Sequence, residues 1–109
     1  MQKKTKMETP ILDIHSAAFS GYIDTVRYHL ERNGVDVNAQ HEFTGRTALS
    51  FAVQAGNVEI VRLLLENGAR DDIVDKRGEI PSDWLIILEG SDEHKQIREM
   101  MQLKCYGNL

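Results

Sequence analysis

The twenty-five residues from Gly45 to Ala69 (GRTALSFAVQAGNVEIVRLLLENGA) constrain the fold of this chain more than any other stretch. They read as two short helices joined by a tight turn, with a glycine stop after the second. Thr47 is a good N-cap, because its hydroxyl can accept a hydrogen bond from a backbone N–H of the first turn. Leu49, Ala52 and Val53 fall at i, i+3 and i+4, one face of a helix. Gly56 and Asn57 break that helix, since both tolerate the left-handed backbone of a sharp turn. Val58, Val61, Leu64 and Leu65 form a second apolar stripe, which Asn67-Gly68 ends. Neither helix can bury its stripe alone, so something must stack on each side.

The neighbouring segments supply it. Leu12 to Gly34 (LDIHSAAFSGYIDTVRYHLERNG) repeats the pattern, with small residues at Ala17 and Ala18, a turn at Gly21, apolar Val26 and Leu30, and a glycine stop. Gly21 and Gly56 are 35 positions apart, Gly34 and Gly68 are 34 apart, and Gly45 and Gly78 are 33 apart. A turn and two helices at this period resemble the ankyrin repeat. Arg46-Thr47-Ala48-Leu49 is similar to the family's threonine-proline-leucine helix start. Ala55-Gly56-Asn57 and the run from Val61 to Ala69 also match, and Asp36-Val37-Asn38-Ala39 is similar to the linker into the next hairpin. The resemblance covers about residues 12–104 and is weakest in the third unit. It implies an all-α ankyrin-repeat solenoid, about three stacked helix–turn–helix units with short β-hairpin-like loops between them. The expected organisation is a flexible N-terminal tail at 1–8, one domain at 9–105 with repeats near 9–40, 41–74 and 75–105, and a C-terminal tail at 106–109.

Composition fits. A hydrophobic fraction of 41% suffices for a core and argues against disorder. The net charge of −4 gives no support to broad phosphate binding, which calls for a basic stripe. A single cysteine, Cys105, cannot form an internal disulfide, as expected of a reducing cytosol. No apolar run approaches a membrane span, and the N-terminal lysines lack a following apolar segment. A cytoplasmic location follows as an expectation.

Along the chain, Lys3, Lys4 and Lys6 read as a solvated tail, and Thr9-Pro10 could open a helix. Ile14, Ala17 and Ala18 should face the next unit. His15 sits where the family has a histidine that bonds nearby backbone. His29 is either a partly buried, hydrogen-bonded histidine on the outer face or the sign of a register shift. Phe43 is a large apolar side chain on an otherwise polar turn. It is either an anchor for a partner's pocket or extra core for its own helices. Asp71, Asp72, Asp75, Lys76 and Arg77 read as solvated turn charge, without the ligand spacing of an EF-hand. In the third unit Ile80-Pro81 opens an unusually apolar helix from Asp83 to Leu88, with Ser82 where the family has leucine. Trp84 either faces the groove or seals the end of the core. Ser91 or Asp92 should cap a last helix, about Glu93 to Lys104, that buries Ile97, Met100, Met101 and Leu103. That helix would turn Lys95, Gln96, Arg98 and Glu99 outward, the polar face an end repeat needs.

Nothing in the sequence assembles chemistry. No two histidines have the i, i+4 spacing of a helical metal site, and there is no phosphate-binding glycine loop, G-x-S-x-G or paired cysteine. Cys105 falls in an expected frayed end without a His or Asp partner. The expectation is therefore a non-enzyme with no cofactor, no metal and no small-molecule substrate. The resemblance implies binding of another protein through the concave groove and hairpin tips. By repeat alignment the contact residues would be Phe43, Thr44, Arg46, Phe51 and Gln54, continued by Lys76, Arg77, Glu79, Trp84 and Ile87. Two rival readings make testable claims. Nucleic-acid binding would use Lys3, Lys4, Lys6, Arg46, Lys76 and Arg77 and weaken steeply with salt; the acidic net charge counts against it. Self-association would use the apolar third helix pair around Trp84 and Ile87 and give a dimer that a charge at Ile87 dissociates; the overall expectation is a monomer or weak homodimer.

Overall fold

The computed structural model describes residues 12–87 and 91–106, with side chains followed through Leu85 and from Ser91 to Met101. Six helices occur among them: α1 Ile14–Ser20, α2 Ile23–Glu31, α3 Ala48–Ala55, α4 Val58–Glu66, α5 Asp83–Ile87 and α6 Asp92–Tyr106. They form three antiparallel pairs in two layers. The inner helices pack in the order α1, α3, α5, and the outer ones in the order α2, α4, α6. This is the stacked solenoid expected from the sequence.

Local chemistry sets each boundary. Asp13 caps α1 by accepting from the Ser16 N–H at 2.8 Å, and Thr47 caps α3 by accepting from Ser50 N–H at 3.3 Å. Gly21 and Gly56 end these helices in the left-handed region, at φ 90° and 76°. Asn57 then joins two units, donating from Nδ2 to the Ala18 carbonyl at 2.7 Å. In the third unit the Ile80 N–H is accepted by the Asp83 carboxylate at 2.8 Å, with Pro81 buried between them.

Small side chains let the inner helices approach. Ala17, Ala18, Ala48, Ala52 and Val53 are fully buried. Val26, Val61, Leu64 and Ile97 fill the space toward the outer layer, and Leu49 completes the core. Full burial of a Leu or Val side chain stabilises by roughly 1.5–3 kcal/mol, so the stacked stripes, incapable of burial alone, are what make the short helices stable. Outside the core, Glu59 and Arg62 are exposed on α4 and pair at 3.6 Å, as their polar register predicts.

Three expectations are corrected. Arg98 is half-buried rather than outward, because its guanidinium donates to the Leu85 carbonyl at 2.8 Å. The Cys105 backbone belongs to helix α6, which runs to Tyr106 instead of fraying earlier. Asp75 is buried, not solvated. The expected last helix is otherwise found, with Ser91 as its cap: the hydroxyl accepts from the His94 N–H at 2.9 Å. The N-terminal lysines, Thr9-Pro10 and Leu88 lie outside the described residues, as do the side chains of Ile87 and Leu103.

Candidate protein-binding groove

Two backbone fingers project beside the inner helices. The first, His41 to Gly45, is closed by His41 N–H donating to the Arg46 carbonyl at 2.8 Å and Gly45 N–H donating to the His41 carbonyl at 2.7 Å. The His41 ring also holds the tip, its Nδ1 accepting from the N–H groups of Phe43 and Thr44 at 3.1 and 3.4 Å. In the second finger, Asp75 accepts from the N–H groups of Arg77 and Glu79 at 2.8 and 2.9 Å. That local turn, typical of aspartate, explains why its carboxylate is buried. The fingers are stitched together: Lys76 N–H donates to the Thr44 carbonyl at 2.9 Å, and Lys76 Nζ to the Glu42 carbonyl at 2.8 Å. Gly45 is required at this seam, because a Cβ there would lie 2.9 Å from the Lys76 nitrogen.

Between the fingers and the inner helices lies an open cavity of about 410 Å³. Eight of the ten residues expected at the binding surface line it: Phe43, Thr44, Arg46, Gln54, Lys76, Arg77, Glu79 and Trp84. Asp75, which the sequence reading treated as solvated, is the addition. Phe51 adjoins this group through Arg46, while the side chain of Ile87 is outside the described residues. Phe43 is 76% exposed at the finger tip and does not fold back as core. Trp84 is half-buried, so it both lines the groove and packs against the core.

Arg46 is the centre of the arrangement. Its guanidinium carbon lies 4.2 Å from the Phe51 ring centre and 4.7 Å from that of Trp84. Nε donates to Ser50 Oγ at 3.1 Å, and Nη2 donates to Gln54 Oε1 at 2.6 Å and to the Ser50 carbonyl at 3.3 Å. Burial pushes the Arg46 pKa down, opposed by the nearby charges of Asp75 and Glu79. The Trp84 indole N–H is buried with no acceptor among the described residues, a situation that costs roughly 1–3 kcal/mol.

A second group lies further along the same face. His15, buried, donates from Nε2 to the Ala39 carbonyl at 2.8 Å, the structural role that the sequence assigns it. Its ring meets those of His41 at 5.4 Å and Phe51 at 5.8 Å, and Phe51 in turn meets Phe19 at 6.3 Å, all edge-on. Sequence reasoning missed His41 and Phe19 here, because they hold different positions in the repeat from Phe51 and meet it only through the stacking of the units. His29 is buried and donates to the Leu12 carbonyl at 2.7 Å, which resolves its alternatives in favour of a hydrogen-bonded outer-helix histidine. Among the described residues, no group of three His, Cys, Asp or Glu side chains could hold a metal ion, and no helix is long and apolar enough to cross a membrane.

Six helices in two layers with stitched fingers define a helical repeat protein. The family model for ankyrin repeats, in three copies, matches residues 14–96, and the chain belongs to that family. The chain is 34% identical over 101 residues to mouse ankyrin repeat domain-containing protein 40, covering 88% of this chain and 28% of that protein. It is 36% identical over 72 residues to mouse protein phosphatase 1 regulatory subunit 27, covering 66% of this chain and 46% of the relative. A third relative, ankyrin repeat domain-containing protein oryK of Aspergillus oryzae, is 43% identical over 58 residues, which is 53% of this chain and 9% of that protein. The chain thus spans less than half the length of each of these relatives. Ankyrin repeats generally mediate protein–protein interaction, and the family is typically non-catalytic.

Proposed function

We propose that this chain is a non-catalytic module that binds a partner protein through its concave groove and finger tips, acting as a scaffold or as a regulator that occludes the partner's surface. One observation carries the reading. The fingers and inner helices gather Phe43, Arg46, Lys76 and Trp84 around one open cavity, and Phe43 stands exposed at its edge. An aromatic anchor beside pinned polar groups is the composition of an interface hot spot. Because the stack is rigid, little ordering entropy is lost on docking. The regulatory name of one relative, a phosphatase subunit, is compatible with this sense of action. The proposal includes one domain at 9–105, acting in the cytoplasm as a monomer or weak homodimer without cofactor, membrane or nucleic-acid partner.

The test is affinity capture from lysate of the source organism. The bait is the wild type beside a variant with Arg46, Lys76 and Trp84 changed to alanine, both checked for helicity by circular dichroism. A protein held by the wild type and lost by the folded variant supports the groove. Equal capture by both would place the interface elsewhere.

A further inference from the structure

The cavity between the fingers is not chemically neutral. Three cations line it, Arg46, Lys76 and Arg77, against two carboxylates, Asp75 and Glu79. That local excess of positive charge sits on a chain whose net charge is −4. The two acids are also less available than the cations. Asp75 is buried and already accepts two finger N–H groups, and Glu79 is half-buried. Lys76 Nζ donates to a neutral carbonyl and forms no ion pair among the described residues, and Arg77 is exposed.

The donors are pre-positioned as well. Phe51, Trp84, Ser50 and Gln54 fix the Arg46 guanidinium through Nε, Nη2 and both ring faces. Nη1 donates to none of the described residues. Trp84, whose ring lies 4.7 Å from the same guanidinium carbon, lines the cavity too, while its indole N–H is buried with no acceptor among the described residues. A fixed guanidinium with an unmet edge, in a cavity that two further cations line, matches a group with acceptor oxygens and a negative charge.

We propose that this cavity receives a carboxylate, the side chain of an aspartate or glutamate within an extended segment of the partner; this rests on the groove reading above. The Arg46 Nη1 edge donates to the carboxylate, and Lys76 and Arg77 add positive charge to the same cavity. An internal acidic residue fits better than a chain end. The aromatic line continues past the cavity from Phe51 to Phe19, so a segment seated on the carboxylate pocket has further apolar surface to follow in the first unit. Phe43 covers the segment from the opposite finger.

The test uses the full 109-residue chain and displayed random dodecapeptides, selected against wild type and counter-selected against the Phe43→Ala, Lys76→Ala variant. Enriched sequences are made as amidated peptides, each with its acid kept or changed to the matching amide. Binding is read by calorimetry and by the emission of Trp84, the single tryptophan. The expected result is an enriched Asp or Glu whose change to Asn or Gln weakens binding about tenfold or more, as loss of a charge-assisted pair should. Arg46→Met, which keeps a long side chain without the charge, should abolish that difference between acid and amide. If acid and amide bind alike while Phe43→Ala still weakens both, the carboxylate assignment is wrong and the groove stands. If enrichment requires a free C-terminal carboxylate, the internal-residue assignment is overturned. Enriched peptides indifferent to the groove substitutions, or no enrichment at all, would overturn both readings.

Discussion

The guanidinium carbon of Arg46 lies 4.2 Å above the centre of the Phe51 ring, while its Nη2 donates to Gln54 at 2.6 Å. Arg46 lies just before α3, whereas Phe51 and Gln54 lie within it, so the side chain is laid back along its own helix. The Trp84 ring, from the next unit, lies 4.7 Å from the same guanidinium carbon. The arginine therefore links two repeats as well as shaping the groove. Arg46→Ala should destabilise by roughly 1–3 kcal/mol, combining lost cation–π contact and net hydrogen bonds. Arg46→Lys should recover only part, because an ammonium cannot stack as a plane or donate as a fork. Urea denaturation of the three proteins measures this, and full recovery by lysine would mean that charge alone matters there.

The seam between the fingers makes a sharper claim. Gly45 and Gly34 both have positive φ, 75° and 64°. A Cβ at Gly34 meets nothing within 4 Å, while at Gly45 it meets the Lys76 backbone nitrogen at 2.9 Å. Gly34→Ala should therefore cost only the left-handed backbone penalty, about 1–2 kcal/mol. Gly45→Ala should cost clearly more, because backbone must shift and the Lys76–Thr44 hydrogen bond with it. Equal thermal shifts for the two variants would show that the seam is loose.

What was legible in the sequence was what a few consecutive residues decide. Thr47 caps, Gly56 stops and Leu49 is buried for reasons held within one helical turn, and the 33–35-residue spacing then dictates stacking. The line-up of repeats also brought Arg46, Gln54, Lys76 and Trp84 to one face. The direction of Phe43 was not legible, because it depends on the His41 ring holding the tip. The burial of Asp75 was hidden for a related reason: a charged residue among charges reads as solvated until its own turn is seen to enclose it. Arg98 could not be assigned either, since its acceptor is the end of a different helix.

Stability should fall in mild acid, in part through His15. Burial holds its pKa below the ordinary 6.5; its bond to the Ala39 carbonyl and the charge of Asp13 oppose this, and His41 adds to it. The unfolded chain then takes up a proton near pH 6.5 that the folded state refuses until lower pH. Stability contributed by neutral His15 is present above that value and is lost as pH falls toward the folded pKa. His15→Gln, which can still donate to Ala39, should flatten the decline. Comparing urea midpoints of the two proteins at about pH 7.5 and about pH 5.5 isolates the contribution. An unchanged decline would assign it to other groups.

Trp84 makes two opposing contributions to stability. Its N–H is buried without an acceptor among the described residues, so the indole carries a desolvation cost that phenylalanine does not. Phenylalanine keeps a ring under Arg46 but is smaller and offers a weaker cation–π face. These effects oppose, and Trp84→Phe should stay within about 1 kcal/mol of wild type. Trp84→Ala removes the ring altogether from between Arg46 and the core, and should cost about 2 kcal/mol or more. Chemical denaturation followed by far-ultraviolet circular dichroism, independent of the lost tryptophan emission, gives both values. A large loss in Trp84→Phe would mean that the indole N–H has an acceptor in the free protein.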